Sequence, residues 1–363
     1  MTNDKPEDAP VFLRPITADK LSLTRGFAAW LAGHGASLAF SSYQSGRVYL
    51  AGVDDKGRVA ILEIITGRAM GLWASDQRLV LATHNQVWQY ENALMPGQVL
   101  DGKDRQFIPR TATTTGDLDI HDIAVDGTGR IVFVNTLFSC LATLSPRYSF
   151  TPLWKPPFIS RLAAEDRCHL NGLALRDGVA AFVTATSRSD TVNGWRARRA
   201  HGGTVIDVAS GEFVTEKLSM PHSPRWHDGK LWVLNSGSGH LGTIDLAAGR
   251  FEPFVFCPGF LRGLAFHKHF ALVGLSLPRD GSFTGLALDE ELKTRDADPW
   301  CGVQVIDLRS GDIVEWLRFE EGVTELYDVA VIPGVRNPGA IAPSAPELSN
   351  IITIDLAGEG LRA

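Results

Sequence analysis

The chain has 363 residues, of which 44% are hydrophobic and 21% charged, an ordinary composition for a globular protein with a large core. A net charge of −6 excludes the strongly basic footprint of a nucleic-acid binder. No apolar run reaches the roughly 20 residues of a membrane helix, so neither nucleic acid nor membrane is expected as a partner.

The start, MTNDKPEDAPVFLRP, is polar and acidic and lacks an apolar h-region, so a cytoplasmic location is expected. VFLRPIT reads as a short strand and TRGFAAWLAGHG as a short helix. From Ala36 onward two phrases alternate. The first is a strand, a turn and a second strand: ASLAFSSYQSGRVYLAG from Ala36, HDIAVDGTGRIVFVN from His121 and NGLALRDGVAAFVTA from Asn171. It returns as HSPRWHDGKLWVLNS from His222, RGLAFHKHFALVGLS from Arg262 and YDVAVIPG from Tyr327. The second is a strand, an acidic residue, a turn ending in glycine and another strand. It reads RVAILEIITGRAMGLW from Arg58, GTVIDVASGEFVTEKL from Gly203, LGTIDLAAGRFEPFVF from Leu241 and GVQVIDLRSGDIVEWLRF from Gly302. NQVWQYENA from Asn85 and FSCLATLSPRYSFTPLW from Phe138 fill the same slot imperfectly, and IITIDLAGEGLRA from Ile351 looks like a truncated copy.

Together the phrases make an antiparallel four-stranded unit of about 40–50 residues, the period of a propeller blade. Residues 1–35 read as an N-terminal segment and 36–363 as a single all-β propeller. Seven blades are predicted, with six as the alternative because the first two are cramped. The last blade lacks an outer strand, which VFLRPIT is expected to supply, leaving no free sheet edge.

In a propeller the inner strand of each blade lines the central channel, and its first residue sits near one mouth. His121, His169 and His222 stand at or just before three consecutive inner strands. Neutral imidazoles converging there suit a divalent transition metal, with iron, copper or manganese favoured over zinc. Arg262 leads the next unit and suits an anionic substrate; Tyr327 leads the last and offers a proton or a hydrogen bond. EDRCHLNG, from Glu165 to Gly172, concentrates chemistry. Glu165 or Asp166 can orient a histidine or act as a base, and Cys168 can be a nucleophile. Asn171, Arg225 and Trp195 complete the expected substrate contacts. Asp122 and Asp328, each following a channel residue, are expected to bond loop amides. Insertions at 187–202, 277–300 and 333–350 and the linker Ser145–Cys168 are expected to crowd the same mouth, as binding loops do. The four cysteines form no CxxC pair and read as reduced thiols.

NTLFSCLATLSPRYSF, KPPFISRLAAEDRCHLNGLAL, MPHSPRWHDGKLWVLNSGSG and GFLRGLAFHKHFALVGLSLPR resemble a bacterial family of conserved hypothetical proteins, a domain of unknown function, over about residues 20–340. That resemblance implies a β-propeller and brings no activity. In type of site alone, the channel histidines resemble the metal centres of oligogalacturonate lyases and carotenoid cleavage oxygenases. The leading expectation is therefore a metal-dependent enzyme, an oxidoreductase or lyase, acting on a small anionic or peptide-derived molecule. The alternatives are a non-enzymatic binding module, and a metal-free hydrolase or transferase using Cys168 or an acid–histidine pair. Oligomeric state is left open.

Overall fold

The acidic residue and glycine of the second phrase build one turn three times. In Asp207–Gly211, Asp245–Gly249 and Asp307–Gly311 the glycine N–H donates to the aspartate carbonyl at 2.8 Å, with glycine φ of 76°, 66° and 81°. The aspartate Oδ1 accepts a turn amide, Ser210 N at 2.8 Å, Ala247 N at 2.9 Å or Arg309 N at 2.9 Å. Only glycine adopts that left-handed conformation at no steric cost, and an aspartate that satisfies the turn's own amides fixes the reversal. The strands on either side therefore pair as hairpins.

The computed structural model describes residues 13–15, 20–279 and 281–354. These hairpins assemble into six sheets arranged as a β-propeller. Blade 1 takes its inner strand, Asp328–Pro333, from late in the chain and its next three, Ala36–Ser42, Arg47–Val53 and Val59–Ile65, from early in it. Blades 2 to 5 run in order through Leu72–Thr114, Ile120–Trp154, Leu170–Leu218 and Pro221–Phe256, and blade 6 through Phe260–Phe319. Leu13–Pro15 adds a fifth strand outside blade 1, Leu21–Leu23 outside blade 6, and Pro338–Ala340 a parallel one outside blade 2.

Six blades correct the expected seven. The Ala36 strand is not an inner strand: it pairs with Asp328–Pro333 from Ser41↔Asp328 to Ala36↔Pro333 and is second in its blade. The first and seventh predicted units are thus two parts of one blade, which is why the first two inner strands looked cramped. The N-terminal strand does belong to this closing blade, as expected; the flanking residues of VFLRPIT and the end of the C-terminal phrase lie outside the described residues.

The six inner strands contact one another in a closed ring. Apolar side chains fill the layers between blades, such as Leu38, Phe40, Leu272 and Val303 between blades 1 and 6. Hydroxyls near the mouth stitch neighbouring blades: Ser41 donates to Met70 O at 2.6 Å, Thr136 to Leu170 O at 2.6 Å and Ser236 to Leu261 O at 2.7 Å.

The axis itself is plugged by charge. Arg225 of blade 5 reaches Asp122 of blade 3 at 2.7 and 3.1 Å and Asp328 of blade 1 at 3.7 Å, and donates to Leu264 O and Leu173 O at 3.0 Å each. Asp122 also accepts Leu173 N and Asp328 accepts Leu72 N, each at 2.9 Å. One arginine and two carboxylates thereby tie all six inner strands, so the expectation that Asp122 and Asp328 hold amides is met. Arg225, expected to touch substrate, is instead the centre of this structural plug.

Candidate metal and anion site at the channel mouth

Above the plug, strand starts bring three potential ligands together. Asp119 and His121 frame the start of the blade 3 inner strand, and His169 immediately precedes that of blade 4. One ligand atom from each of Asp119, His121 and His169 lies within 4.8 Å of the others. Asp119 and His169 have φ of 52° and 51°, a conformation uncommon outside glycine and held here by the surrounding contacts.

Hydrogen bonds decide what each imidazole can offer. His121 Nδ1 lies 2.9 Å from Asp119 O and 2.8 Å from Thr136 Oγ1. The Thr136 hydroxyl hydrogen is already given to Leu170 O, so Nδ1 carries the proton and Nε2 presents a lone pair. His222 repeats the arrangement in blade 5: Nδ1 is 2.8 Å from Met220 O and 3.0 Å from Ser236 Oγ, whose hydrogen goes to Leu261 O. His169 Nδ1 bonds the Asp166 carboxylate at 2.9 and 3.1 Å. Trp195 stacks on the His169 ring at 4.0 Å and donates to the same carboxylate at 2.7 Å. A carboxylate behind a histidine and a hydrogen-bonded Nδ1 are the arrangement that orients Nε2 toward a metal.

The His121 and His169 rings meet edge-on at 4.7 Å, and Tyr327 lies 5.3 Å from His121. Burial, only partly offset by Asp119, lowers the His121 pKa to about 4. Burial, aided by the Arg262 charge, puts His222 well below its ordinary value. Both are neutral at pH 7. Burial opposes ionisation of Asp119, but His121, His169, Arg68 and Arg262 outweigh it and hold its carboxyl below the ordinary value. Burial and the nearby Asp119 charge push the Tyr327 hydroxyl well above its ordinary value.

The three expected histidines do not form one ligand set. His121 and His169 come together, their third partner is Asp119, and His222 lies outside that group with a buried Nε2 that has no partner among the described residues. Asp119 was missed, although GDLDIHD carries the signal: two residues before His121, it falls on the same side of an extended segment. Asn171 is buried behind the site, donating to Thr186 Oγ1 and Pro221 O at 3.0 Å each. Arg262 is buried and makes no hydrogen bond or ion pair among the described residues; its guanidinium lies 5.1 Å from the Tyr327 ring.

Two expected catalytic residues are elsewhere. Cys168 is fully buried in the core beside Ile159 and Leu170, and burial pushes its thiol up to about 12, the opposite of an activated nucleophile. Glu165 is held by Arg167 at 2.6 Å and Arg161 at 3.1 Å; Asp166 is the carboxylate that reaches histidine. The insertions after blade 4 and blade 6 second strands do converge, packing Trp195 against Phe283, Leu286 and Leu288. The 333–350 segment does not join them. It leaves the inner strand of blade 1 at the end opposite Tyr327 and packs between blades 1 and 2.

Comparison with one solved structure supports the fold. A chain of the nidogen/laminin complex superposes with a TM-score of 0.50 at 13% identity, covering 82% of this chain and 99% of that one. The computationally designed Ika8 protein aligns at a TM-score of 0.36 and 12% identity, covering 80% of this chain and 76% of that one. No curated protein matches the chain. A family model described as a domain of unknown function, DUF4915, matches residues 25–341. No helix among the described residues is long and apolar enough to cross a membrane.

Proposed function

Since the chain belongs to the DUF4915 family, defined by a domain of unknown function, its chemistry has to come from the site, and we propose that it is a metal-dependent enzyme. Asp119, His121 and His169 bind a divalent transition metal at the channel mouth. Two histidines and one carboxylate on one side of an ion, with its other positions open, suit iron(II) and oxygen chemistry; manganese, copper or zinc, with lyase or hydrolase chemistry, is the alternative. The observation that carries this reading is the approach of the three side chains within 4.8 Å, with both Nδ1 atoms committed elsewhere.

A binding module is the second reading. It is favoured by the likeness of His121 and His222, which make the same pair of bonds in two blades, as structural imidazoles would.

Metal analysis of untagged protein separates the two. The enzyme reading expects near-stoichiometric metal in the wild type, lost in folded Asp119→Ala and His169→Ala variants and kept in His222→Ala. Folded wild-type protein that takes up no iron, manganese, copper or zinc on reconstitution overturns it and leaves the binding module.

A further inference from the structure

The mouth holds polar atoms that nothing among the described residues satisfies. Arg262 Nε, His222 Nε2 and the Tyr327 hydroxyl are all buried without a partner, in residues 8%, 4% and 6% exposed. They are neighbours: the Phe260 ring lies 5.5 Å from the His222 ring and 5.5 Å from the Arg262 guanidinium, and Tyr327 faces the other side of Arg262 at 5.1 Å. A buried guanidinium with no directly paired carboxylate among the described residues is costly, and unmade hydrogen bonds add to that cost.

A cavity of about 190 Å³ opens on Arg262; His222 and Tyr327 lie behind its lining. Met220, Phe260, Phe283 and Leu286 give it apolar walls, and Arg262 is a charged point on its lining. The other two arginines of the lining are engaged, Arg279 with Glu325 at 2.8 Å and Arg199 with Thr284 O at 2.7 Å. One free fork matches a planar carboxylate; a phosphate would call for more donors. An ammonium on the ligand would be repelled by Arg262. The volume is below the roughly 300–1,000 Å³ of drug-sized pockets, which limits the ligand to a small molecule.

We propose that this cavity binds a small carboxylate with an apolar body, its carboxylate on Arg262 and its body against Met220, Phe260, Phe283 and Leu286. This names the substrate class of the proposed metal enzyme, and rests on that reading only for the word substrate.

Calorimetric titration with 3-phenyllactate, before and after chelation, tests it. Binding is expected in both states, weakened roughly a hundredfold in Arg262→Gln. The methyl ester of the probe, which lacks the charge, is expected not to bind. 3-Phenylpropionate, which keeps the carboxylate and the apolar body, is expected to bind the wild type to within about tenfold of 3-phenyllactate. Folded wild-type protein that binds none of these acids, or binds the ester equally well, overturns the proposal; so does an unchanged affinity in Arg262→Gln. If that variant fails to fold, the ester comparison decides. Metal content is measured separately: acid binding without metal keeps the anion site and removes the enzyme reading, and metal without acid binding does the reverse.

Discussion

Trp195 and Asp166 show how far the chemistry of the proposed ligand His169 depends on residues outside the Asp119–His121–His169 set. The indole stacks on His169 and shares with it the Asp166 carboxylate, so ring plane and tautomer are fixed by the chain itself. Outer partners of this kind typically contribute 10–100-fold in metal affinity. Asp166→Ala is therefore expected to weaken metal binding by about that factor with the fold intact, measured by competition against a chelating dye; equal affinity would mean that His169 needs no such support. The same scale limits Cys168. All four cysteines are free and buried, and a thiol raised to about 12 yields little thiolate at neutral pH. Native protein should resist a disulfide reagent, and all four thiols should react after denaturation; rapid labelling of Cys168 would revive the nucleophile. Sequence alone pointed to the neighbourhood of EDRCHLNG but not to roles within it. Which of two adjacent acids turns inward depends on the backbone at Asp166, whose φ is 41°, and a sequence does not show that.

Strands and turns were more legible than side-chain targets. The aspartate–glycine turn is local, its hydrogen bonds closing within five residues, so it repeats visibly along the chain. The Asp122–Arg225–Asp328 plug is not local: its members come from three blades and meet only on the axis. Asp122 and Asp328 were readable because each follows a channel position, whereas nothing near Arg225 announces that its guanidinium crosses the channel. Removing Asp122 takes both short contacts from the buried Arg225 and leaves it only Asp328 at 3.7 Å, so Asp122→Ala is expected to destabilise the protein by about 3 kcal/mol in denaturant titrations. A loss below 1 kcal/mol would show that the plug is incidental. Asp328 adds a pH dependence. Burial, and then the like charge of Asp122, raise its carboxyl to about 7 despite Arg225. A folded-state pKa raised above the unfolded value near 4 means that the native state holds the extra proton between those values, so its contribution to stability falls as pH rises from about 4 to about 7. The stability of the wild type relative to Asp328→Asn should decline from pH 5 to pH 7 and then level off. A difference independent of pH would place the Asp328 pKa back in the ordinary carboxylate range.

At the scale of the whole ring, the miscount of blades and the means of closure are one fact. Each phrase is repeated faithfully enough to be counted, but counting cannot tell an inner strand from a second strand when the inner one lies nearly 300 residues away; the Asp328 N–H to Ser41 Oγ bond spans 287 positions. Two parts of one blade therefore looked like two blades. The same arrangement makes the late strand indispensable. Asp328–Pro333 pairs with Ala36–Ser42 along its length, carries the plug residue Asp328, and buries Val329, Val331 and Ile332 between its neighbours. Without it the Ala36–Ser42 strand would present unpaired backbone to the channel and blade 1 would face blades 2 and 6 with an open core. A chain ending at Glu325 keeps the four antiparallel strands of every other blade and loses the Pro338–Ala340 strand outside blade 2; it is expected to lose the single cooperative melting transition and to aggregate through the blade 1 edge. If a truncated chain still melted cooperatively within a few degrees of the full one, the ring would not depend on this strand, and stability would reside blade by blade as in an open repeat array.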